Sequence, residues 1–225
     1  MRAFEHELRR GLVELELSLA DEQIGKLLEY FDLIHKWNQT YNLTSVREPA
    51  DMLTHHLLDS LTVIAPLRRR LAGFPRSGGV VDQADVSPIR LLDVGSGAGL
   101  PGVVIAVCCP DVLVDCVDAV AKKVAFIRQV AGILKLSNLR GLHQRVENLS
   151  GIYGVVSSRA FASLSEFARL SNGLLAPDGI WLAMKGKIPD DEIAALPGNA
   201  CVFHVEQLTV PGLSADRCIV WMGKT

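Results

Sequence analysis

The sequence predicts an α/β fold: a mostly parallel sheet, a helical extension before it, and an antiparallel hairpin at its carboxyl end. Three observations predict this fold. Apolar, strand-like runs alternate with helical segments from residue 89 onward. The first of these runs, residues 89–94, ends at a loop with glycines at alternate positions. The last two runs, residues 201–210 and 217–222, have no long helix between them and are therefore expected to pair antiparallel.

The amino-terminal part of the chain is expected to be helical. Ser18 and Asp21 have the spacing of a capping box, and apolar residues recur behind them at helical spacing as far as Trp37, where the helix is expected to end. A second amphipathic helix is predicted over residues 51–67, and Pro66 is expected to stop it.

A stretch rich in glycine and proline, residues 68–88, is predicted to be a linker. It divides the chain into a helical segment packed on the core, residues 1–67, and the core itself, residues 89–225. A chain of 225 residues that is 49% hydrophobic can bury one sizeable core and needs no second full domain.

Beyond the linker, strands and helices are expected to alternate as in βαβ units. The expected elements are strand 89–94, helix 101–107, strand 112–118, helix 120–134, strand 139–143, strand 152–157, helix 162–175, a turn at 177–179 and strand 180–184. A sheet of this kind closed by an antiparallel hairpin resembles the Rossmann-like class I methyltransferase fold.

The loop after the first core strand is typical of a cofactor cradle. Gly95, Gly97 and Gly99 stand at alternate positions, where a glycine backbone can adopt positive φ and bring its N–H groups close to a ligand. Pro101 suits the first turn of the next helix, whose positive end is aimed back at the loop. The ligand is therefore expected across the carboxyl end of the strand.

Two acidic residues bear on which cofactor binds. The run 97–102 also matches the dinucleotide fingerprint GxGxxG, which is a weak signal by itself. Asp93, two residues before the first glycine, would repel pyrophosphate but suits the cationic S-adenosylmethionine. Asp118 ends the next strand at about the 20-residue spacing of a ribose-binding acid, which either cofactor requires. The pair favours S-adenosylmethionine over NAD, and a nicotinamide-dependent reductase is the alternative.

Composition excludes several other classes of protein. The charged amino end has no signal-peptide core and no uncharged run is long enough to span a membrane, so we expect a cytoplasmic protein. Five cysteines form neither a disulfide framework nor a metal-binding pattern, and we expect them to be buried thiols. A net charge of −2 provides no overall attraction to nucleic acid, which leaves local basic patches.

Such basic patches are present, and they are expected on the cofactor side of the sheet. They comprise Arg68–Arg70, Lys122, Lys123, Arg128, Arg140, Arg145, Arg159, Lys185 and Lys187. Each cluster alone is more typical of a solvated surface than of a binding site, and only the shared location indicates contact with nucleic acid.

Six short motifs along the chain add a more specific resemblance. They are HKWN at 35–38, YNLT at 41–44, HLLDSL at 56–61, the glycine loop, SSRAFA at 157–162 and KG at 185–186. Together they resemble the glucose-inhibited division protein B family, the bacterial small-subunit rRNA guanine-N7 methyltransferases. The resemblance extends from about Gln23 to the carboxyl end, although the linker is longer than usual and Leu100 stands where many members carry Phe.

The resemblance implies S-adenosylmethionine as the cofactor and a specific set of residues around it. Gly95 and Leu100 match positions of the cofactor loop, and Val146 and Glu147 match positions that flank the adenine. Arg159 matches a position near both cofactor and substrate.

The resemblance also implies 16S ribosomal RNA or the small ribosomal subunit as the partner. We expect Arg145, Arg159 and Lys185 to bind this RNA, and we expect a monomer that binds neither DNA nor membranes. A methyltransferase acting on another RNA or on a small molecule, and a catalytically silent RNA-binding module, are the alternatives.

Guanine N7 in a neutral base has an in-plane lone pair, so its methylation requires no general base, and no catalytic residue is predicted. His55 and Asp59 lie four residues apart on a helix, but no third metal ligand has suitable spacing. We therefore favour a helix hydrogen bond or support of the cofactor pocket over a metal site. Trp37 is expected to pack on the core, and the role of Tyr41 is left open.

Overall fold

Seven strands form one sheet in the computed structural model, which describes residues 2–73 and 88–225. The strands are β1 (Ile89–Val94), β2 (Val112–Asp118), β3 (Leu139–His143), β4 (Tyr153–Arg159), β5 (Leu175–Lys185), β6 (Ala200–Leu208) and β7 (Arg217–Lys224). Their order across the sheet is β3-β2-β1-β4-β5-β7-β6. The first five strands are parallel, and β7 is antiparallel to both of its neighbours. The predicted mostly parallel sheet with a carboxyl-terminal antiparallel hairpin is confirmed.

Both faces of this sheet are covered, which explains why its central strands are apolar along most of their length. Leu91 and Leu92 are neighbours in β1 and both are fully buried. They belong to different apolar clusters because successive strand residues point to opposite faces. Leu91 packs with Val103 and Ile127 on one face, and Leu92 packs with Phe167 on the other.

Nine α-helical segments are present in the described part of the chain. They are α1 (Arg2–Glu14), α2 (Asp21–Tyr41), α3 (Pro49–Met52), α4 (Asp59–Leu61), α5 (Ile64–Ala72), α6 (Gly102–Cys108), α7 (Ala121–Ile133), α8 (Leu164–Ser171) and α9 (Asp190–Ala194). A π-helical turn, Leu53–Leu58, joins α3 to α4, and a 3₁₀ turn, Val146–Asn148, follows β3. No described helix combines the length and the apolar composition that a membrane span requires.

The amino-terminal extension packs directly on the core, but its helix boundaries differ from the predicted ones. Ala20, not Ser18, is the N-cap of α2, and its backbone N–H donates to Gln23 Oε1 at 3.0 Å. The predicted capping box is therefore wrong, although a glutamine in the first turn supplies half of the same arrangement. Helix α2 also continues to Tyr41, four residues beyond the predicted end at Trp37.

The helix predicted over residues 51–67 instead begins at Pro49, continues through the π-helical turn and ends at Leu61, and the separate helix α5 follows. Pro66 does not stop a helix. It lies in the first turn of α5, where a backbone N–H has no intrahelical partner and a proline costs little. Residues 68–72, predicted as linker, extend α5, and residues 74–87 lie outside the described part of the chain. The division into a helical segment, a linker and a core stays a prediction.

The region around β5 also departs from the prediction. Helix α8 ends at Ser171, four residues before the predicted end, and β5 begins at Leu175. The predicted turn at residues 177–179 lies inside β5 as an irregularity. Leu175 pairs with Tyr153 and Ile180 with Val155, so β5 carries extra residues between two positions that are nearly adjacent on β4.

Candidate functional site

The loop between β1 and α6 adopts the backbone conformation that its glycines predict. Gly95, Gly97 and Gly99 have φ values of +65°, +60° and +90°. A Cβ at Gly95 would lie 2.4 Å from Phe161, and one at Gly99 would lie 2.5 Å from Val103. A Cβ at Gly97 would meet no atom closer than 4.0 Å. Packing of the protein itself therefore requires glycine at two of these positions, whereas Gly97 leaves open space beside the loop.

Asp93, the residue before the last one of β1, is buried behind the glycine loop and bonded to the start of α6. The residue is fully buried, its Oδ2 accepts from the N–H of Gly102 at 2.9 Å, and its Oδ1 accepts from Ser157 Oγ at 2.9 Å. Burial raises the pKa of this carboxyl to about 6, against the opposing effect of the two hydrogen bonds. In this structure the carboxylate holds the start of α6 and Ser157 in place, and a role of Asp93 in binding the cofactor stays a prediction.

Asp118 stands at the carboxyl end of β2, as expected, and is tied to the same loop. Its Oδ2 accepts from the N–H of Gly97 at 3.0 Å and its Oδ1 from the N–H of Val120 at 2.8 Å. Lys123 Nζ lies 3.8 Å from Oδ2. The carboxylate is thus held next to the one loop glycine that faces open space.

The amino-terminal extension reaches the loop through α2. Tyr30 is fully buried, and its hydroxyl donates to the carbonyl of Ala98 at 2.7 Å. Because Ala98 lies between two glycines with positive φ, this bond ties the freest part of the loop to a long helix.

A cavity of about 530 Å³, here called the loop cavity, opens beside the loop at the carboxyl ends of β1, β4 and β5. It is lined by residues 43–45, 55, 56, 59, 95–98, 100, 159, 160, 184–186 and 217. Ligands of open α/β sheets bind at this edge of the sheet.

One buried carboxylate and two guanidinium groups form part of the cavity wall. Asp59 Oδ2 accepts from Arg159 Nη1 at 2.7 Å, and Asp59 Oδ1 accepts from Arg217 Nε at 2.8 Å. Arg159 also donates to the carbonyl of His55 at 2.9 Å. Because two cations share one anion, this cluster retains a net positive charge on the wall.

Arg217 was not predicted from the sequence. It is the first residue of β7, and the start of an antiparallel strand lies at the same sheet edge as the ends of the parallel strands. The antiparallel pairing that the sequence does predict was the signal that could have located it.

His56 and Thr44 also line the loop cavity, and Asn38 holds the segment that contains Thr44. His56 Nε2 lies 2.6 Å from Thr44 Oγ1, and Asn38 accepts from the N–H of Thr44 at 2.9 Å and donates to the carbonyl of Val46 at 3.0 Å. Burial, together with the nearby Arg159, lowers the pKa of His56 to about 4, so the imidazole is neutral near pH 7. Three of the motifs, at 35–38, 41–44 and 56–61, are thereby joined by hydrogen bonds.

The predicted site residues divide into two groups. Gly95, Gly97, Leu100, Arg159 and Lys185 line the loop cavity together. Lys185 forms an ion pair there, because its Nζ lies 2.8 Å from Glu192 Oε2. The same Nζ also donates a hydrogen bond to the carbonyl of Ala162 at 3.0 Å.

Six predicted residues do not line this cavity: Asp93, Gly99 and Asp118 belong to the glycine loop or hold it, and Arg145, Val146 and Glu147 follow β3. Val146 is buried and, with Glu147, lines a separate cavity of about 490 Å³ that reaches the start of β4. Arg145 is exposed, and its guanidinium lies 3.8 Å from Glu147. The segment still adjoins the cofactor side, since the N–H of Gln144 donates to the carbonyl of Asp118 at 3.3 Å.

The prediction that all of the basic patches lie on the cofactor side of the sheet is wrong. Arg68 donates to the carbonyl of Cys108 at the carboxyl end of α6, which lies at the opposite edge of the sheet. Arg69 pairs with Glu206, and Arg70 stacks over Phe203 at 5.0 Å. These three arginines hold the fold together and contribute nothing to the loop cavity.

His55 and Trp37 make the contacts that the sequence favours. His55 Nδ1 lies 3.0 Å from the carbonyl of Asp51, which is a helix hydrogen bond. In the described part of the chain, no three His, Cys, Asp or Glu side chains are grouped in a way that could hold a metal ion. Trp37 packs on the core and lies 5.3 Å from the Phe126 ring. All five cysteines are free thiols, and all but the half-buried Cys201 are buried.

Comparison with known proteins gives a uniform result. Residues 23–220 match the family model described as rRNA small subunit methyltransferase G. Ribosomal RNA small subunit methyltransferase G of Albidiferax ferrireducens is 67% identical over 99% of this chain and 98% of its own length. The protein of the same name from Acidovorax sp. (strain JS42) is 60% identical over 98% of this chain and 95% of its own.

Solved structures are similar at the level of the fold. TrmN from Thermus thermophilus superposes with a TM-score of 0.55 and 17% sequence identity. The superposition covers 77% of this chain and 53% of the TrmN chain. A predicted O-methyltransferase from Agrobacterium tumefaciens superposes with a TM-score of 0.52 and 18% identity, covering 63% of this chain and 76% of its own.

Proposed function

The chain belongs to the rRNA small subunit methyltransferase G family, and from this premise we propose that it methylates guanine N7 in 16S ribosomal RNA with S-adenosylmethionine as donor. The observation that carries the proposal is a glycine loop and two arginines lining one cavity. A methyl donor and a polyanionic substrate require these two features side by side.

The residues of the loop fit S-adenosylmethionine. Gly97 has positive φ and open space where a Cβ would lie, and Asp118 stands beside it with a carboxylate suited to ribose hydroxyls. Gly95, Gly99 and Leu100 complete the loop, and Asp93 holds it in place. Val146 and Glu147 would flank the adenine at the end of β3, which stays a prediction. When bound, S-adenosylmethionine supplies a methyl group on a positively charged sulfur.

The chemistry assigned to the protein is binding, orientation and exclusion of water. Guanine N7 attacks through a lone pair that is free at neutral pH, so no side chain has to remove a proton. The groups of the cavity agree with this, because Asp59 is occupied by two guanidinium groups and His56 is a weak base with a pKa near 4. Both residues fit a role in positioning.

The proposed substrate is an unstacked guanine in small-subunit rRNA. The major groove of an A-form helix is too deep and narrow for N7 to be reached, so the target must lie in a loop or be splayed out. Arg159 lines the cavity and shares the single carboxylate of Asp59 with Arg217, whereas Lys185 has Glu192 to itself, so Arg159 is the strongest of the predicted candidates for contact with RNA. Arg145 as an RNA contact, the monomeric state, the cytoplasmic location, and the lack of binding to DNA and membranes all stay predictions.

Isothermal titration calorimetry with S-adenosylmethionine and with NAD tests the cofactor. We expect binding of S-adenosylmethionine and none of NAD; tight binding of NAD alone would favour the reductase instead. A parallel assay follows labelled methyl transfer to small-subunit rRNA, to transfer RNA and to protein. Labelling confined to small-subunit rRNA supports the proposal, and labelling of another substrate alone contradicts it.

A further inference from the structure

A second cavity continues from the loop cavity along the same edge of the sheet. It has a volume of about 500 Å³ and lies between residues 186–188, which follow β5, and the connection from β6 to β7. We call it the hairpin cavity. Gly186 and Arg217 belong to the linings of both cavities, so the two spaces adjoin each other.

The lining of the hairpin cavity combines apolar surface with unpaired polar groups. Ile188 and Leu213 provide apolar surface, while Lys187, Gln207 and Thr209 are exposed side chains. Within the described residues these three polar side chains make no hydrogen bond or ion pair. Asp216 adds a carboxylate, which suits a ribose hydroxyl or a base amino group. Such a lining fits a base and its sugar better than an ion or a purely apolar ligand.

Charge at the border of the two cavities favours a phosphate. Arg217 shares the carboxylate of Asp59 with Arg159, and its Nη1 donates to the carbonyl of Asp216 at 2.8 Å. One positive charge of this cluster is therefore not compensated. This charge lies at the border of the two cavities. If one nucleotide occupied each cavity, the sugar-phosphate backbone that joins them would pass this point.

We propose that the hairpin cavity binds the RNA nucleotide directly next to the target guanine, with the connecting phosphodiester facing Arg217. The inference rests on the proposed function, since it assigns the guanine and the cofactor to the loop cavity. A guanine drawn out of its stack also displaces its neighbour, and a neighbour held in a second cavity would fix the orientation of the target.

Filling the cavity tests the proposal. Ala215 lines it and is exposed, so Ala215→Trp adds a bulky side chain without disturbing the core. Ala195→Trp is the control, because Ala195 is exposed at the end of α9 and lines neither cavity. The substrate is small ribosomal subunits from cells that lack this methylation, and each variant is first checked for its folding by circular dichroism.

We expect Ala215→Trp to raise KM for the subunits by about tenfold or more, since loss of a bound base costs roughly this factor. Its Kd for S-adenosylmethionine should equal that of the wild type. Ala195→Trp should have the wild-type values of both KM for the subunits and Kd for S-adenosylmethionine. An unchanged KM in Ala215→Trp would overturn the proposal. A wild-type protein that methylates no rRNA would instead contradict the proposed function.

The salt dependence of RNA binding gives a second test that does not depend on filling the cavity. Arg217→Gln, first checked for its folding by circular dichroism, should reduce the slope of log Kd against log salt by about 0.7, the value for one phosphate of a single strand. Lys135→Gln is the control, because Lys135 is exposed between α7 and β3, at the opposite sheet edge. Equal slopes for Arg217→Gln and the wild type would overturn the proposal, which places the connecting phosphodiester at Arg217.

Discussion

Two buried side chains near the loop cavity respond to pH in opposite ways. Asp93 has a folded-state pKa of about 6, raised mainly by burial from an ordinary 3.8, so its contribution to stability is lost as pH rises from about 4 to 6. His56 has a folded-state pKa of about 4, lowered mainly by burial from 6.5, so the folded state loses stability as pH falls through that range. Each effect is about 3 kcal/mol, and the two largely cancel between pH 4 and 6.

Substituting either residue should therefore reveal the pH dependence of stability that the other residue causes. Asp93→Asn can accept from the N–H of Gly102 through its amide oxygen, and its amide N–H₂ can donate to Ser157 Oγ in place of the bond that Asp93 accepts. Its stability relative to the wild type should rise by about 3 kcal/mol from pH 4 to 6. The stability of His56→Gln relative to the wild type should fall by a similar amount over the same pH range. Urea unfolding at several pH values measures both differences, and parallel pH profiles for the three proteins would refute the opposed pKa shifts.

Gly97 is the loop residue whose role depends most on a ligand. Gly97→Ala places a methyl group in open space at φ +60°, so it should destabilise the fold by only about 1–2 kcal/mol. It should nevertheless weaken S-adenosylmethionine binding by about tenfold or more, because the backbone must approach the cofactor closely. Calorimetry and thermal unfolding measure the two effects separately.

Gly212→Ala provides the matched control for this substitution. Gly212 has φ +75°, its Cβ would meet nothing closer than 3.9 Å, and it lines neither cavity. The two variants should lose similar stability, and only Gly97→Ala should lose affinity for S-adenosylmethionine. Equal affinities for both would mean that the loop is not the cofactor cradle.

Among the elements, α2 connects the amino-terminal extension to the glycine loop. Tyr30→Phe removes the hydroxyl that holds the Ala98 carbonyl and leaves the ring in place. A buried hydrogen bond contributes about 1 kcal/mol, so a loop released by this amount should bind S-adenosylmethionine about fivefold more weakly. Calorimetry measures this change in the purified protein.

Tyr153→Phe distinguishes this effect from a general loss of stability. Tyr153 is also buried, and its hydroxyl donates to Asp115 Oδ2 at 2.8 Å, away from both cavities. This variant should lose stability and keep the wild-type affinity for S-adenosylmethionine. If both variants bound the cofactor equally well, α2 would have no part in holding the loop.

The sequence predicts some elements much better than others, for physical reasons. The bounds of β1, β2 and β3 agree with the prediction because each is a short apolar run that ends at a turn or a polar residue. Prolines caused two of the errors. Pro66 is tolerated in the first turn of a helix, and Pro177 lies in an irregular part of β5, and local sequence does not distinguish these positions from a helix end or a turn.

At the scale of the whole molecule, the site consists of residues that are far apart in the chain but meet at one sheet edge. The glycine loop and Asp118 were predictable because each belongs to a single strand and the loop after it. The contact between Asp59 and Arg217 spans 158 residues and depends on how the hairpin and the extension pack on the sheet, which no local pattern encodes. Val146 and Glu147, expected from resemblance alone, line a different cavity.

The assembled site also predicts how the reaction depends on pH. The pKa of His56 is near 4 and that of Asp93 near 6, so above pH 6.5 His56 is neutral and Asp93 is at most about a quarter protonated. The single-turnover rate of methyl transfer at saturating substrates should vary by less than about twofold between pH 6.5 and 8.5. A tenfold rise across this range, with binding and folding unchanged, would require a general base.

Replacement of the acceptor atom tests the central claim most directly. Small-subunit rRNA is prepared with guanosine or with 7-deazaguanosine, which lacks N7 and keeps the base-pairing edge, and each RNA is incubated with the protein and labelled S-adenosylmethionine. The account predicts that label enters the guanosine RNA and is recovered as 7-methylguanosine, and that none enters the 7-deazaguanosine RNA. Equal labelling of both RNAs would contradict methylation at guanine N7.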